Sequence, residues 1–318
     1  QQAYREDFQK KYQAVLMPIR CRLWSESGKI LRPINVQGGR MLPDGSWVVV
    51  LSESRMQFVI EGVTQEPILS SFIGLSAPVV HRDDLSLGQR ASLMAYETDA
   101  YVKTSSAKEC WMSILADTEE SLPGELIEQL EEVVSGWRES PAMVGWVFNV
   151  PSLRVCQESG RPFTLGVLAR RHKWLLRQIA TQWEAKWLEI FSGSKLQLQH
   201  DYKWCEQDVA MRKLQALSLK MLLSCNFERY ISYALSLYDQ ADNITTRCAV
   251  LEEIAPHRSA EADQLLEKFY ADVDGHDLLA NKWLYYAALS VQEKVEDISV
   301  LKSDTLVPIT YLLGRVTY

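Results

Sequence analysis

The sequence predicts a two-part protein, a small antiparallel β-sandwich followed by a long array of stacked helices. Three observations carry this expectation. In "VLMPIRCRLW" the apolar residues Val15, Met17, Ile19, Cys21 and Leu23 recur at every second position, as on a strand with one buried face. Turn sequences containing Gly28 ("SESGK") and Gly45 ("PDGS") then separate further short apolar runs, "SWVVVLS", "MQFVIEG" and "PILSSFIGLS". Beyond Pro78 the period becomes helical and stays so. The expected division is an N-terminal extension over 1–11, a sandwich over 12–80 and a helical domain over 81–318. A core Trp between paired cysteines is missing, which argues against an antibody-type domain specifically.

Within the helical part, "LSLGQRASLMAYETDAY" and "AKECWMSILAD" form the first amphipathic pair. "PGELIEQLEEVVSGW" follows, with Pro123 suited to a helix start and Leu126, Leu130 and Val133/Val134 on one side. Next come "SPAMVGWVFNV", a 30-residue run over 162–191, "EQDVAMRKLQALSLKMLLS", "FERYISYALSLYDQA", "NITTRCAVLEEIA", "AEADQLLEKFYADV" and "LLANKWLYYAALSVQEKVEDIS". Isolated helices this short are marginal in water, so each must bury its face on a neighbour. Stacked pairs forming a superhelical solenoid of ARM/HEAT type satisfy that requirement. The 162–191 run carries Trp174, Trp183 and Trp187, and the spacing of four places the last two on one helical face. A core stripe is the expected reading, with a binding platform as the alternative.

Composition excludes several function classes. A chain of 318 residues with 47% hydrophobic content buries a substantial core. Its formal charge of -7 comes from 34 Lys+Arg against 41 Asp+Glu, and the basic residues are dispersed, which argues against nucleic acid as a partner. "ARRHKWLLR" reads as the solvated face of a helix, a local basic patch being the alternative. No run reaches the ~18 apolar residues of a membrane-spanning helix, and "QQAYREDFQKKYQ" lacks the apolar core of a secretory signal. A first residue other than Met leaves processing, trimming or a fragment open. The six cysteines, Cys21, Cys110, Cys156, Cys205, Cys225 and Cys248, are far apart with no CxxC, as expected of buried free thiols in a reducing compartment. The chain is therefore expected to be soluble and intracellular, in the cytoplasm or an organellar matrix.

No catalytic, cofactor-binding or metal-binding residue emerges. The five histidines, His81, His172, His200, His257 and His276, are nowhere closer than 19 residues. A helical zinc site needs two histidines four apart so that both reach one ion, with a Glu to activate water. Gly-rich phosphate loops and the G-x-S-x-G elbow are also missing. "QGGR", with Gly38 and Gly39, reads as a turn, and "DTEES", "EQLEE" and "LEE" as solvated helix faces. "NIT" at Asn243 matches a glycosylation acceptor, but Asp242 or Asn243 at a helix start equally fits an N-cap.

Against this negative result stands an ordered family resemblance. "EPILSSFIGLSAPVV", through Pro67, Ser70, Ser71, Ser76, Ala77, Pro78 and Val79, resembles the P-V-P-S-L-L-R-x-F-S-A-P-V stretch of bacterial-type M1 zinc aminopeptidases, the alanyl aminopeptidase or aminopeptidase N family. There it closes a small sandwich and opens the C-terminal helical domain. "PIRCRLWSESGKILRP" resembles the opening strand and turn of that sandwich. "SPAMVGWVFNVPS" resembles D-P-A-L-x-A-x-x-L-x-L-P-S, and "YKWCEQDVAMRKLQALSLKML" resembles Y-x-x-x-x-x-x-I-A-x-R-x-L-R-N. "QADNITTRCAVL" is similar to E-A-x-N-M-T-D-x-x-A-A-L through Ala241, Asn243, Thr245, Ala249 and Leu251. "DLLANKWLYYAAL" is similar to L-V-x-D-K-W-F-x-x-Q-A through Leu278, Lys282, Trp283 and Ala287.

The resemblance implies an immunoglobulin-like sandwich followed by most of an ARM/HEAT-like helical domain. It implies that the zinc-binding HExxH and the amine-binding G-A-M-E-N segment belong to preceding domains, so none of those residues transfers to this chain. Zinc is expected only with that missing region, and no cofactor for the chain alone. Two departures stand out. "DAYVKTSSAKEC" keeps Asp99 and Tyr101 but lacks the Arg-Trp of D-x-F-x-R-W-x-A-x-Q. After "KVEDISVLKSD" no N-P-N-x-x-R-S-L segment follows, and Arg315 in the tail lies in a different context.

Two function classes follow. The first is a noncatalytic scaffold or pseudoenzyme subunit whose surfaces bind partner proteins, either an M1 catalytic domain on another chain or a large assembly. The second is the C-terminal part of an active aminopeptidase that shapes access to a zinc site held elsewhere.

Overall fold

The computed structural model describes residues 15–161, 163–198, 202–257, 259–272 and 276–290. Within these, seven strands precede twelve α-helices. The expected N-terminal extension, His200, most of "KVEDISVLKSD" and the tail with Arg315 lie outside the described residues.

The sheet is organised around β1 (Met17–Trp24). Its first half pairs antiparallel with β5 (Trp47–Leu51), Cys21 facing Trp47, while its second half pairs with β2 (Ile30–Leu31) on the same edge. The opposite edge receives β7 (Ile68–Ser71), with Trp24 facing Ile68. β4 (Gly39–Met41) extends the sheet beyond β5, and β3 (Asn35–Val36) pairs with β6 (Ile60–Glu61) in a second, two-stranded sheet. Strand alternation sends Cys21, Leu23, Val36, Trp47 and Val49 into one core between the sheets, joined by Ile19, Phe58 and Ile60. Only parts of the expected runs over 56–62 and 67–76 are strand. The chain turns away at Phe72, whose φ is 59°, and again at Gly74 and Leu75, with φ of 67° and 51°. Left-handed backbone at Phe72 and Leu75 is unfavourable for residues with a Cβ.

The expected period-two face of β1 is buried from Cys21 onward, yet so are Arg22 and Trp24 on its other face. That second face is covered by helices. Trp24, Ile68 and Ile73 share a core with Leu93 and Val102, which belong to α1 (Leu87–Tyr96) and α2 (Ala100–Ala116). The α1–α2 break falls at 97–99, so Tyr101 belongs to α2 rather than to the end of α1.

Helix ends follow their capping chemistry. Ser86 and Gln89 form a reciprocal capping box on α1, and Asp99 caps α2. In α3 (Gly124–Ser135) Pro123 occupies the N-cap position, and Leu126, Leu130 and Val134 are buried. α4 (Pro141–Val147) and α5 (Leu153–Glu158) are short. The 162–191 run is not one helix: α6 (Leu165–Gln182) and α7 (Glu184–Gln197) are separated at Trp183, whose φ and ψ of -121° and 30° interrupt the helical backbone. Both Trp183 and Trp187 are buried, and the Trp187 indole N–H donates to the Ile179 carbonyl at 3.3 Å. These two tryptophans are core, whereas Trp174 is half-buried under the Arg171 guanidinium, 3.9 Å from its ring centre.

α8 (Glu206–Cys225) is the hub of the remaining helices, contacting α6, α7, α9 (Phe227–Gln240) and α10 (Ile244–Ile254). A 3-10 turn (Ala255–His257), α11 (Ala260–Asp272) and α12 (Asp277–Ser290) complete the described array. Two compact units are present, 1–137 with 146–151, and 138–145 with 152–318. The first unit thus holds both sheets together with the first three helices.

Candidate functional site

No described part of the chain gathers a metal centre: among the described residues no group of three His, Cys, Asp or Glu side chains lies together. His81, His257 and His276 sit on separate elements, and His172 lies within α6. The His257 ring stacks on Phe227 with 4.3 Å between centroids, and burial, with Lys173 nearby, holds its pKa below the usual histidine value. Asn243 is the N-cap of α10, its Oδ1 accepting from the Thr246 amide at 2.9 Å, which is the cap reading of "NIT". Gly38 is a left-handed turn residue between β3 and β4, as "QGGR" suggested. None of the six cysteines is in a disulfide; Cys21, Cys110, Cys156 and Cys248 are buried, Cys205 is exposed. Burial pushes Cys21 and Cys110 up to about 12, which leaves them un-ionised and inert.

Three constellations are built with more care. The first lies where β1 meets the loop after α1. Arg22 Nη1 donates to Glu97 Oε1 at 2.8 Å, the Trp24 indole N–H donates to Glu97 Oε2 at 2.8 Å, and Arg22 Nη2 donates to Asp44 Oδ2 at 2.7 Å. Arg20 adds a 2.8 Å bond to the same Asp44 oxygen. Burial alone would raise the Glu97 pKa. The Ser70 hydroxyl, the Trp24 indole and the Thr98 and Asp99 amides outweigh that and hold it below the ordinary Glu value. Asp44 is likewise held down, first by the Ser46 hydroxyl.

Nearby, Asp99 uses one oxygen to cap α2 through Val102 and the other to accept from the Gly74 amide at 2.9 Å. Ser76 Oγ accepts from the Arg20 amide at 3.1 Å, and Ala77 is buried. The stretch that carried the family resemblance is therefore β7 and the strap behind it, fastened to β1 and to the start of α2. Its chemistry is positional.

The second constellation has the composition of a hydrolytic triad. Ser71 Oγ lies 3.3 Å from His81 Nε2, and His81 Nδ1 lies 3.6 Å from Asp83 Oδ2. Desolvation lowers the His81 pKa, with Asp83 opposing and Arg90 reinforcing the shift. The adjoining cavity is only about 20 Å3, room for about one water. The amides of Ile73 and Gly74, just downstream of Ser71, already donate to the Arg20 carbonyl and to Asp99. Without space for an acyl group or free donors for an oxyanion, this triad orders the linker instead.

The third brings together two of the segments that resemble family patterns. Arg212 and Gln215 of α8 face Thr246 of α10 across a pair of cavities of about 260 and 280 Å3. The Arg212 guanidinium sits 4.5 Å from the Tyr202 ring centre and donates to the Lys203 carbonyl at 3.0 Å. Where the resembling pattern places Asp, the chain has Thr246, and where it places the second Arg, the chain has Gln215. The sequence reading missed both this cavity and the Arg22–Glu97 pair, because each joins residues distant in the chain.

An Ig-like sandwich leading into ARM-type helices defines the class of protein. The chain belongs to the family that describes it: residues 1–84 match a domain of unknown function (DUF3458) with an Ig-like fold, and residues 88–305 match its partner (DUF3458_C), ARM repeats. It is similar to aminopeptidase N of Haemophilus influenzae, at 21% identity over 297 residues, 91% of this chain and 33% of that protein. Its fold is similar to the crystal structure of Legionella pneumophila aminopeptidase A in complex with aspartic acid, with a TM-score of 0.73 and 18% identity over 86% of this chain and 32% of that one. The chain spans about a third of the length of these relatives. Those matches agree with the C-terminal region of M1 aminopeptidases. No helix among the described residues is long and apolar enough to cross a membrane.

Proposed function

We propose that the chain serves as the C-terminal region of an M1-type zinc aminopeptidase, shaping access to a catalytic site held on residues outside this sequence. The observation that supports it is coverage: nearly the whole chain aligns with aminopeptidases, yet with only a third of each. In this reading the chain performs no bond cleavage. Its own residues do not fit zinc, since the sequence has no HExxH and the described residues gather no ligand set, so no zinc-dependent step is assigned to them. The sheet and first helices act as a fixed platform, fastened through Arg22, Glu97 and Asp99.

A second reading is the noncatalytic scaffold, with partner proteins in place of substrate. What favours it is the departure in "DAYVKTSSAKEC", where the pattern's Arg-Trp is replaced. One experiment separates the two. The polypeptide containing this sequence is purified from its source and assayed on aminoacyl-anilides with and without a zinc chelator. Chelator-sensitive release of amino acid by a particle that contains an HExxH segment supports the peptidase reading. An inactive particle of unrelated subunits with no HExxH chain overturns it in favour of the scaffold.

A further inference from the structure

The paired cavities between α8 and α10 have a feature that a packing defect lacks. Gln215 is 3% exposed, lines both cavities, and its side-chain amide has no hydrogen-bond partner among the described residues. Its amide faces the cavities and is available to a polar group that enters them. Arg212, 8% exposed, lines both cavities as well, and its guanidinium has donors beyond one bond to the Lys203 carbonyl and a distant 3.9 Å approach to Asp208. Thr246 completes the polar wall shared by the two.

Among the described lining residues Lys195 belongs to one cavity and Lys213 to the other, Arg212 belongs to both, and Asp242 is the acid, with Asp208 3.9 Å from Arg212 behind the wall. The remainder of the larger cavity is apolar, formed by side chains such as Trp204, Leu219 and Val250. A planar guanidinium stacked on an aromatic ring pairs well with a carboxylate, and an amide beside it can donate to the same group. We propose that this cavity binds a carboxylate with an apolar body, the carboxylate on Arg212, Gln215 and Thr246 and the apolar part against Trp204 and Leu219. The volumes suit a ligand of a single aromatic ring or a short aliphatic chain. This inference does not rest on the aminopeptidase reading, and its test measures no peptidase activity.

The experiment is calorimetric titration of the 318-residue chain with 3-phenylpropionate, its neutral amide and the corresponding amine, 3-phenylpropylamine. The carboxylate is expected to bind at least tenfold more tightly than the amide, with the amine not binding. Arg212→Met should weaken the carboxylate tenfold or more. Thr246→Asp, which places a fixed carboxylate in the cavity opposite Arg212, should abolish binding while leaving or raising the melting temperature. That variant guards against loss of binding through misfolding. A second arm compares acetyl-Ala-Ala-Phe bearing a free C-terminal carboxylate: tighter binding of the peptide assigns the natural source to a chain terminus, and tighter binding of 3-phenylpropionate assigns it to a free acid. Equal affinity for acid and amide, no binding to the wild-type chain at millimolar acid, or undiminished binding in a folded Thr246→Asp protein would each overturn the proposal.

Discussion

Arg22 and Glu97 stand 75 residues apart in sequence and 2.8 Å apart in space, with side chains only 6% and 0% exposed. Such a pair is a poor source of net stability because both charges lose their hydration. Its effect is on uniqueness: Glu97 has one place in which both its oxygens are matched, under Trp24 and Arg22. Removing one partner leaves a buried charge alone. Arg22→Met is therefore expected to destabilise the protein by about 3–5 kcal/mol, whereas Arg22→Met combined with Glu97→Met should recover a good part of that loss. Urea unfolding of the two variants beside the wild type measures it. A single variant as stable as the wild type would show that the carboxylate is not buried as described.

The same residues set the acid limb of stability. Glu97 and Asp44 are held below their ordinary values of 4.5 and 3.8, so the unfolded chain takes up protons first as the pH falls. Their contribution is complete above those values and is lost as pH drops below them. His81 and His257 are held below 6.5 by burial, and they too make the unfolded chain the stronger proton acceptor as pH falls through that value. Between pH 7 and 5 the histidines lower stability while Glu253, raised to about 7 by burial, opposes them by taking up its proton first in the folded state. The melting temperature should therefore fall clearly only below about 4.5, where Glu97 and Asp44 titrate in the unfolded chain. Glu97→Gln should be less stable at pH 7 and show a shallower acid limb. Parallel limbs for variant and wild type would contradict the assignment.

The three tryptophans of 162–191 separate core from surface. Trp187 is fully buried and hydrogen-bonded, so Trp187→Ala should cost about 3–5 kcal/mol. Trp174 is half-buried beneath Arg171, and loss of a cation–π contact of roughly 0.5–1 kcal/mol is the main expected effect of Trp174→Leu. Thermal denaturation distinguishes them. A similar penalty at both sites would mean that Trp174 is packed as deeply as Trp187.

Local chemistry was legible where it is short-ranged. The period of β1, the left-handed turns at Gly28 and Gly45, and the caps at Asn243 and around Pro123 can be read from a few adjacent residues. The break at Trp183 could not, because nothing in the surrounding residues is a helix breaker. Both Trp183, at the break, and Trp187 are buried, a tertiary property without a local sequence mark. The burial of Arg22 was not legible either. Period two shows which residues share a face, but a face covered by another element carries no local mark beyond the Arg and Trp themselves. The carboxylate-receptive cavity depends on Arg212, Gln215 and Thr246 meeting across two helices, and a pattern comparison shows replaced letters without the space they leave.

Ser71, His81 and Asp83 offer the sharpest test of reading function from composition alone. In an active triad the base hydrogen-bonds the nucleophile, a third group orients the base, and two donors await the oxyanion beside an open pocket. Here the first two contacts exist at 3.3 and 3.6 Å, both long. The pocket is closed to anything larger than about one water, and the Ile73 and Gly74 amides are committed to fold contacts. Phe72 packs on the His81 ring with 4.8 Å between centroids, fixing the linker as it leaves the sheet. Incubation with a fluorophosphonate should therefore leave Ser71 unmodified in intact-mass and peptide mapping, and ester hydrolysis by the chain should be the same in Ser71→Ala as in the wild type. Ser71→Ala should instead lower stability by about 0.5–1.5 kcal/mol through the lost hydrogen bond to His81. A covalent adduct on Ser71 would mean that the linker opens to admit substrate and that the triad is more than a fastening.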